Sequence, residues 1–190
     1  WVVRFFADLP AGGAPTRPTV IVDALTGVVM AQWDALTTLR AGTGPGGNAR
    51  TGRIEYGSGG TAFLDVTRDA STCWLRSPHV VTYNLNHGTT ADRPHAFSCP
   101  RNTVKEINGA YSPLNDAHFG ASVVVEMFQR YLGKDPIAPQ LEIGAHYGIG
   151  SRNAFWDGRR INLGDGGPET FPLTVLDVVA HEAAHGFTEQ

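Results

Sequence analysis

His181-Glu182-Ala183-Ala184-His185 is the stretch of this chain best equipped for chemistry. Two histidines four residues apart on a helix project from one face, one turn apart, so both imidazoles can reach a single Zn²⁺. Glu182 points about 100° round the helix from His181, where it can accept a proton from a water on the metal without being a ligand itself. The chemistry implied is metal-assisted peptide hydrolysis. A catalytic zinc takes three protein ligands. The chain stops five residues after His185, so the third ligand is expected outside it.

The surrounding sequence adds weight to the motif. Val175, Leu176, Val178, Val179, Ala180, Ala183, Ala184 and Phe187 leave little polar face, which predicts a helix buried nearly all round. Two histidines and a glutamate on such a helix are costly unless paired or bound to a metal. Satisfied core histidines are the alternative. Asp177, one turn before His181 on the same face, could orient that imidazole or bind another cation.

The elements that must position this helix read as α+β: mostly antiparallel sheet, one amphipathic helix, then the buried C-terminal helix. Trp1–Phe6 is a strand candidate, followed by a loop through Ala11–Pro15 and Pro18. Val20–Val22 and Val28–Ala31 flank Asp23–Gly27 and read as a hairpin, with Gly27 supplying the positive-φ position. Trp33 is placed to pack on its face. Residues 41–60 hold eight glycines between Gly42 and Gly60. That density reads as a flexible linker, with a domain boundary near Arg40–Gly44 separating 1–40 from 41–190.

Beyond the boundary, Ile54–Tyr56, Ala62–Val66 and Val80–Leu85 are strand candidates. His79, His87 and His95 lack metal-ligand spacing and read as surface or loop residues. After Asn115–His118, the apolar positions Val124, Met127, Phe128, Tyr131 and Leu132 follow helical spacing, with Gly133 as C-cap. Leu141–Ile143 with Ala145–Tyr147, then Asn153–Gly158 and Arg160–Gly164, read as strands, the last two forming a hairpin that leads to the final helix.

Composition sets the bounds. The 190 residues, 42% of them hydrophobic, suffice for one ordinary domain or a domain plus a piece. A net charge of −3 without a Lys/Arg run leaves no footprint for nucleic acid or an anionic membrane, and no apolar stretch approaches a membrane span. With no initiator Met and no signal-peptide pattern, the chain looks cut from a longer precursor at both ends. Cys73 and Cys99 read either as free thiols of a cytosolic protein or as one disulfide of an exported protein.

Several long motifs in fixed order resemble the thermolysin-like zinc metallopeptidases, of the pseudolysin and vibriolysin type: GPGGN at Gly44–Asn48, CPRNT at Cys99–Thr103, NGAYSPLNDAHF at Asn108–Phe119, SRNAFWDG at Ser151–Gly158, INLGDG at Ile161–Gly166 and the helix LDVVAHEAAHGFTEQ. The resemblance implies a truncated zincin N-terminal domain. It makes His181 and His185 ligands of Zn²⁺ and Glu182 the general base that activates the zinc-bound water. Asn153 and Ala154 would bind the backbone of an extended peptide substrate, with Phe155 and Trp156 lining the cleft beside them. Val178 would help wall the pocket that favours bulky apolar residues at P1′. It assigns Asp177 to Ca²⁺, ahead of the role of orienting His181. It joins Cys73 to Cys99 in a disulfide, hence secretion. Residues 1–40 would be the tail of a propeptide that acts as chaperone and inhibitor until self-cleavage near the Gly-rich junction.

The third zinc ligand, the oxyanion-stabilising Tyr and His, most calcium ligands and the helical C-terminal domain of that family have no counterpart in this sequence. The expectation is therefore a secreted zinc endopeptidase whose fragment, taken alone, is inactive. The competing reading is a non-catalytic module that binds a peptide or protein partner and keeps a vestigial metal helix.

Overall fold

The computed structural model describes residues 1–4, 18–34 and 40–189, which fall in two compact units, Trp1–Leu39 and Arg40–Gln190. In the first, β1 (Val2–Arg4), β2 (Pro18–Val22) and β3 (Val29–Asp34) form an antiparallel sheet in the order β1-β2-β3. The β2–β3 turn is set by its sequence. Asp23 Oδ1 accepts hydrogen bonds from the amides of Leu25 (3.0 Å) and Thr26 (2.7 Å) and from the Thr26 hydroxyl (2.8 Å), and Gly27 takes φ +72. Phe5 and Phe6, the Ala11–Pro15 loop and the Trp33 side chain lie outside the described residues.

The second unit is built on a four-stranded sheet. Preceding it are β4 (Arg40–Gly42), β5 (Gly44–Asn48), β6 (Gly52–Tyr56), β7 (Leu64–Asp69) and β8 (Thr72–Trp74). Then come β9 (Val80–Asn84), β10 (Ala96–Ser98), α1 (Pro113–Leu132), β11 (Leu141–Ala145), β12 (Ala154–Trp156), β13 (Arg160–Leu163) and α2 (Leu176–Glu189). β9, β11 and β13 run parallel, which the long crossover through α1 permits. β12 folds back antiparallel to β13 and occupies the open edge. A second sheet, β10-β8-β7-β4, is antiparallel, as is the β5–β6 hairpin. Cys73 in β8 forms a disulfide with Cys99, just past β10.

α1 lays Leu114, Ala117, Ala121, Val124, Val125 and Phe128 into the core with Leu141, Ile143, Ile161 and Leu163 of the parallel strands. It starts at Pro113, ten residues before the apolar run at Val123 that announces it. Asn115, Asp116 and His118 therefore lie in the helix rather than ahead of it. Their side chains are hidden from a hydrophobic pattern but satisfied inside: Asn115 Nδ2 donates to the Pro45 carbonyl at 2.8 Å. Gly133 closes the helix in the left-handed conformation, φ 68, as expected.

The Gly-rich stretch is not a flexible linker. Gly44, Pro45, Gly46 and Asn48 are buried in β5. A Cβ at Gly46 would strike the Tyr56 ring and the Asp116 carboxylate, and one at Gly44 would strike the Asn102 backbone. These glycines permit close packing of backbone against side chains and backbone; a count of glycines cannot tell that from flexibility.

The near-complete burial expected for α2 is also corrected. Its buried residues are Val179, Glu182, Ala183 and Gly186, a single stripe, while Leu176, Asp177, His181, Ala184 and His185 are exposed. The buried stripe faces α1 and the β12–β13 hairpin. Gly186 brings the helix so close that a Cβ there would meet Ile137 and Trp156.

Candidate active site

His181 and His185 share the exposed face of α2. Their Nε2 atoms are 3.1 Å apart and the rings stand nearly perpendicular, at 86°. Two nitrogens bound to one tetrahedral zinc at about 2.05 Å would be about 3.3 Å apart. The pair therefore already has the spacing of two ligands of one metal, and both donors are imidazoles open to solvent. Zinc fits these two residues. Among the described residues, no group of three His, Cys, Asp or Glu side chains converges to hold a metal ion.

Glu182 sits about 100° round the helix from His181, 7% exposed, and its Oε2 accepts the main-chain N–H of Trp156 at 3.1 Å. The carboxylate is thereby held against the edge strand. The bonds Gly164 N to Asn153 O (3.0 Å) and Asp157 N to Arg160 O (3.1 Å) fix the alternation in β12. Asn153, Phe155 and Asp157 turn their main-chain groups toward β13, and Ala154 and Trp156 turn theirs to the open edge. An extended chain can add to that edge. The Asn153 carbonyl is taken by Gly164, so only its exposed side chain is available there.

Around the strand, Phe155 meets the Tyr147 ring edge-on at 5.0 Å, and Trp156 Nε1 donates to Glu189 at 2.7 Å. A 300 Å³ pocket opens between Trp156, Gly186, Glu189, Ile137 and Glu142. Val178 is half-buried against the core, and Asp177 is exposed in the first turn of α2. The structure thus brings Glu182 to Trp156 at the edge of β12, with Ala154 on the same edge and His181 and His185 on the adjoining exposed face of α2.

The scattered histidines lie in loops and turns, as expected, but not all of them are exposed. His95 is half-buried, with Nε2 3.1 Å from Asn102 Oδ1, and burial pushes it below the usual imidazole range. His87 is paired with the buried Asp165 at 3.3 Å. His79 is exposed and pairs with Asp135 at 2.7 Å. Three groups were missed by sequence reasoning: Glu189, His146 and Asp165. No spacing rule marks them, because their partners lie 33, 19 and 19 residues away.

Comparison with known proteins gives the family. Residues 49–189 match the family described as "Thermolysin metallopeptidase, catalytic domain". The hemagglutinin/proteinase of Vibrio cholerae is 45% identical over 100% of this chain and 32% of its own length. A neutral protease of Vibrio proteolyticus is 42% identical over 100% of this chain and 31% of its own, and a virulence metalloprotease of Vibrio anguillarum 38% over 100% and 31%. The chain thus spans about a third of the length of these curated relatives. On the match across residues 49–189 and the identity along its whole length, the chain belongs to the thermolysin metallopeptidase family.

Proposed function

We propose that the full-length protein is a secreted zinc endopeptidase, to which this chain contributes two zinc ligands, the general base and the strand that binds substrate. The observation that carries the reading is the hydrogen bond from Trp156 N to Glu182 Oε2. It sets the carboxylate beside the open edge of β12, with His181 and His185 on the neighbouring face of the same helix. His181 and His185 would hold Zn²⁺, which when bound supplies Lewis acidity to polarise the scissile carbonyl. A peptide added to β12 is held by the outward N–H and C=O of Ala154, the outward C=O of Trp156, whose N–H is taken by Glu182, and the Asn153 side chain. Phe155 and Trp156 give it an aromatic wall. Glu182 takes a proton from the attacking water and returns it to the leaving nitrogen, which requires a carboxylate within hydrogen-bond reach of both.

The same proposal covers the finer assignments. Val178 contributes to a pocket for bulky apolar P1′ residues. Asp177, exposed at the start of α2, is a ligand of Ca²⁺ together with groups elsewhere in the full-length protein. Residues 1–40 are the propeptide tail. The Cys73–Cys99 disulfide suits an oxidising, extracellular setting, and among the described residues no helix is long and apolar enough to cross a membrane. This 190-residue stretch alone is proposed to be inactive, because a catalytic zinc takes three protein ligands and His181 with His185 supply two.

The test uses the full-length protein, zinc and a quenched fluorescent peptide with a bulky apolar residue on the amine side of the scissile bond. Glu182→Gln should abolish cleavage while zinc stays bound. Cleavage by that variant at the native rate would refute the assigned base.

A further inference from the structure

A buried polar cluster lies beside the site and has no part in the chemistry above. Asp165 is 2% exposed and His146 fully buried, with His146 Nδ1 2.7 Å from Asp165 Oδ1. His87 Nδ1 is 3.3 Å from Asp165 Oδ2, and Lys105 Nζ is 2.7 Å from His87 Nε2. The ring protons follow from these partners. A charged lysine can only donate, so His87 Nε2 accepts and its proton sits on Nδ1, facing Asp165. A carboxylate can only accept, so His146 also carries its proton on Nδ1. That leaves His146 Nε2 buried with no partner, and Asp165 Oδ2, 3.3 Å from His87 Nδ1, buried without a hydrogen bond, an arrangement that is unfavourable in a packed interior. His146 (φ +62) and His87 (φ +65) both adopt the left-handed backbone conformation, which non-glycine residues rarely enter. Unfavourable features are concentrated here on two side chains, His146 and Asp165, that are not part of the apolar core.

The location suggests what they support. His146 is the first residue past β11, where the chain leaves the buried parallel strands and crosses to the edge strand β12. Asp165 lies just past β13, among the described residues the only strand paired with β12. Between them, Tyr147 N donates to Leu163 O (3.0 Å), Gly164 N to Asn153 O (3.0 Å) and Gly166 N to Ser151 O (2.8 Å). The imidazole–carboxylate bond closes the inner end of this lacing, and Glu182 holds the outer end at Trp156.

We propose that His146 and Asp165 are positioning residues for substrate: together they set where the outward N–H and C=O of Ala154 stand relative to Glu182. The inference rests on the reading that a peptide adds to β12. A shift of that edge weakens peptide binding in ground state and transition state alike, so KM rises while kcat holds.

The experiment is steady-state kinetics of the full-length protein on the quenched peptide. His146→Gly accepts the left-handed backbone but removes the imidazole. It is expected to raise KM about tenfold, the worth of one ordinary hydrogen bond, with kcat and zinc content retained. His146→Asn tolerates the same backbone and keeps an N–H donor near the Nδ1 position, so it should restore KM. Should His146→Gly fail to fold, His146→Gln replaces it. Gln keeps the bulk but carries its donor at the Nε2 position, and the same rise in KM is expected. An unchanged KM in the loss variants, or a fall in kcat and zinc content equal to the loss of affinity, would overturn the proposal, as would failure of His146→Asn to rescue. A scan of N-methylated peptides on the wild-type protein separates the two readings. If no methyl group weakens binding, strand addition itself is wrong. If methylation weakens binding yet the His146 variants leave KM unchanged, only the positioning role falls.

Discussion

Asp116 and His118 stand two positions apart in α1 and should oppose each other in the pH dependence of stability. Burial raises the Asp116 carboxyl to about 6, although Gly47 N (3.0 Å) and Tyr56 OH (2.8 Å) both donate to it. Burial pushes His118 down to about 4; its ring bonds to the Thr82 hydroxyl at 2.8 Å and the Asp65 carbonyl at 2.6 Å. In the unfolded chain these groups titrate near about 3.9 and 6.5. Between about pH 4 and 6 the folded state holds a proton on Asp116 that the unfolded state has lost, so that stabilisation fades as pH rises. Over the same window the unfolded state holds a proton on His118 that the folded state lacks, so stability on that account fades as pH falls. Each contributes a slope of about 1.4 kcal/mol per pH unit and a total of about 3 kcal/mol, a sizeable part of an ordinary domain's stability. The two slopes cancel in the wild type. Removing one exposes the other. Asp116→Asn, which keeps an acceptor for Tyr56 and Gly47, should gain about 3 kcal/mol relative to wild type as pH rises from 4 to 6.5. His118→Gln should gain a similar amount relative to wild type as pH falls over the same range. Urea unfolding followed by tryptophan fluorescence at half-unit pH steps measures both. Variant-minus-wild-type differences that stay flat with pH would refute the reasoning, as would slopes of the same sign in the two variants.

Two further outcomes follow from the packing. Gly186→Ala places a Cβ against Ile137 and Trp156 and should destabilise by about 1–3 kcal/mol, read as a lower melting temperature. The double change Cys73→Ser, Cys99→Ser opens a link between residues 26 apart in sequence and should lower stability by about 3.5 kcal/mol on the chain-entropy account. Denaturant midpoints of oxidised wild type and the double variant test that value.

Local pattern and fixed spacing made much of this protein readable without coordinates. The i, i+4 spacing of His181 and His185 alone dictates that both imidazoles share one helix face, because a helical turn is 3.6 residues. The apolar spacing from Val124 to Leu132, the Asp23–Gly27 turn and the β12–β13 hairpin are likewise short-range, and all three appear in the structure. The order of the long motifs pointed to the family that the comparison then showed. What the sequence left open is set by residues distant along the chain. Whether α2 is buried on all sides or along one stripe depends on how many elements pack against it, and α1 and the β12–β13 hairpin cover only one side. Glycines in β5 serve close packing because Tyr56, Asn102 and Asp116 come to meet them. The side of β12 that faces outward follows from its pairing with β13, and the contact of Glu182 with that edge joins residues 26 apart. His146 and Asp165 look like ordinary polar residues until the parallel sheet brings the ends of β11 and β13 side by side. Backbone geometry repeats every few residues and is written locally; tertiary contact has no such period, and only the folded chain decides it.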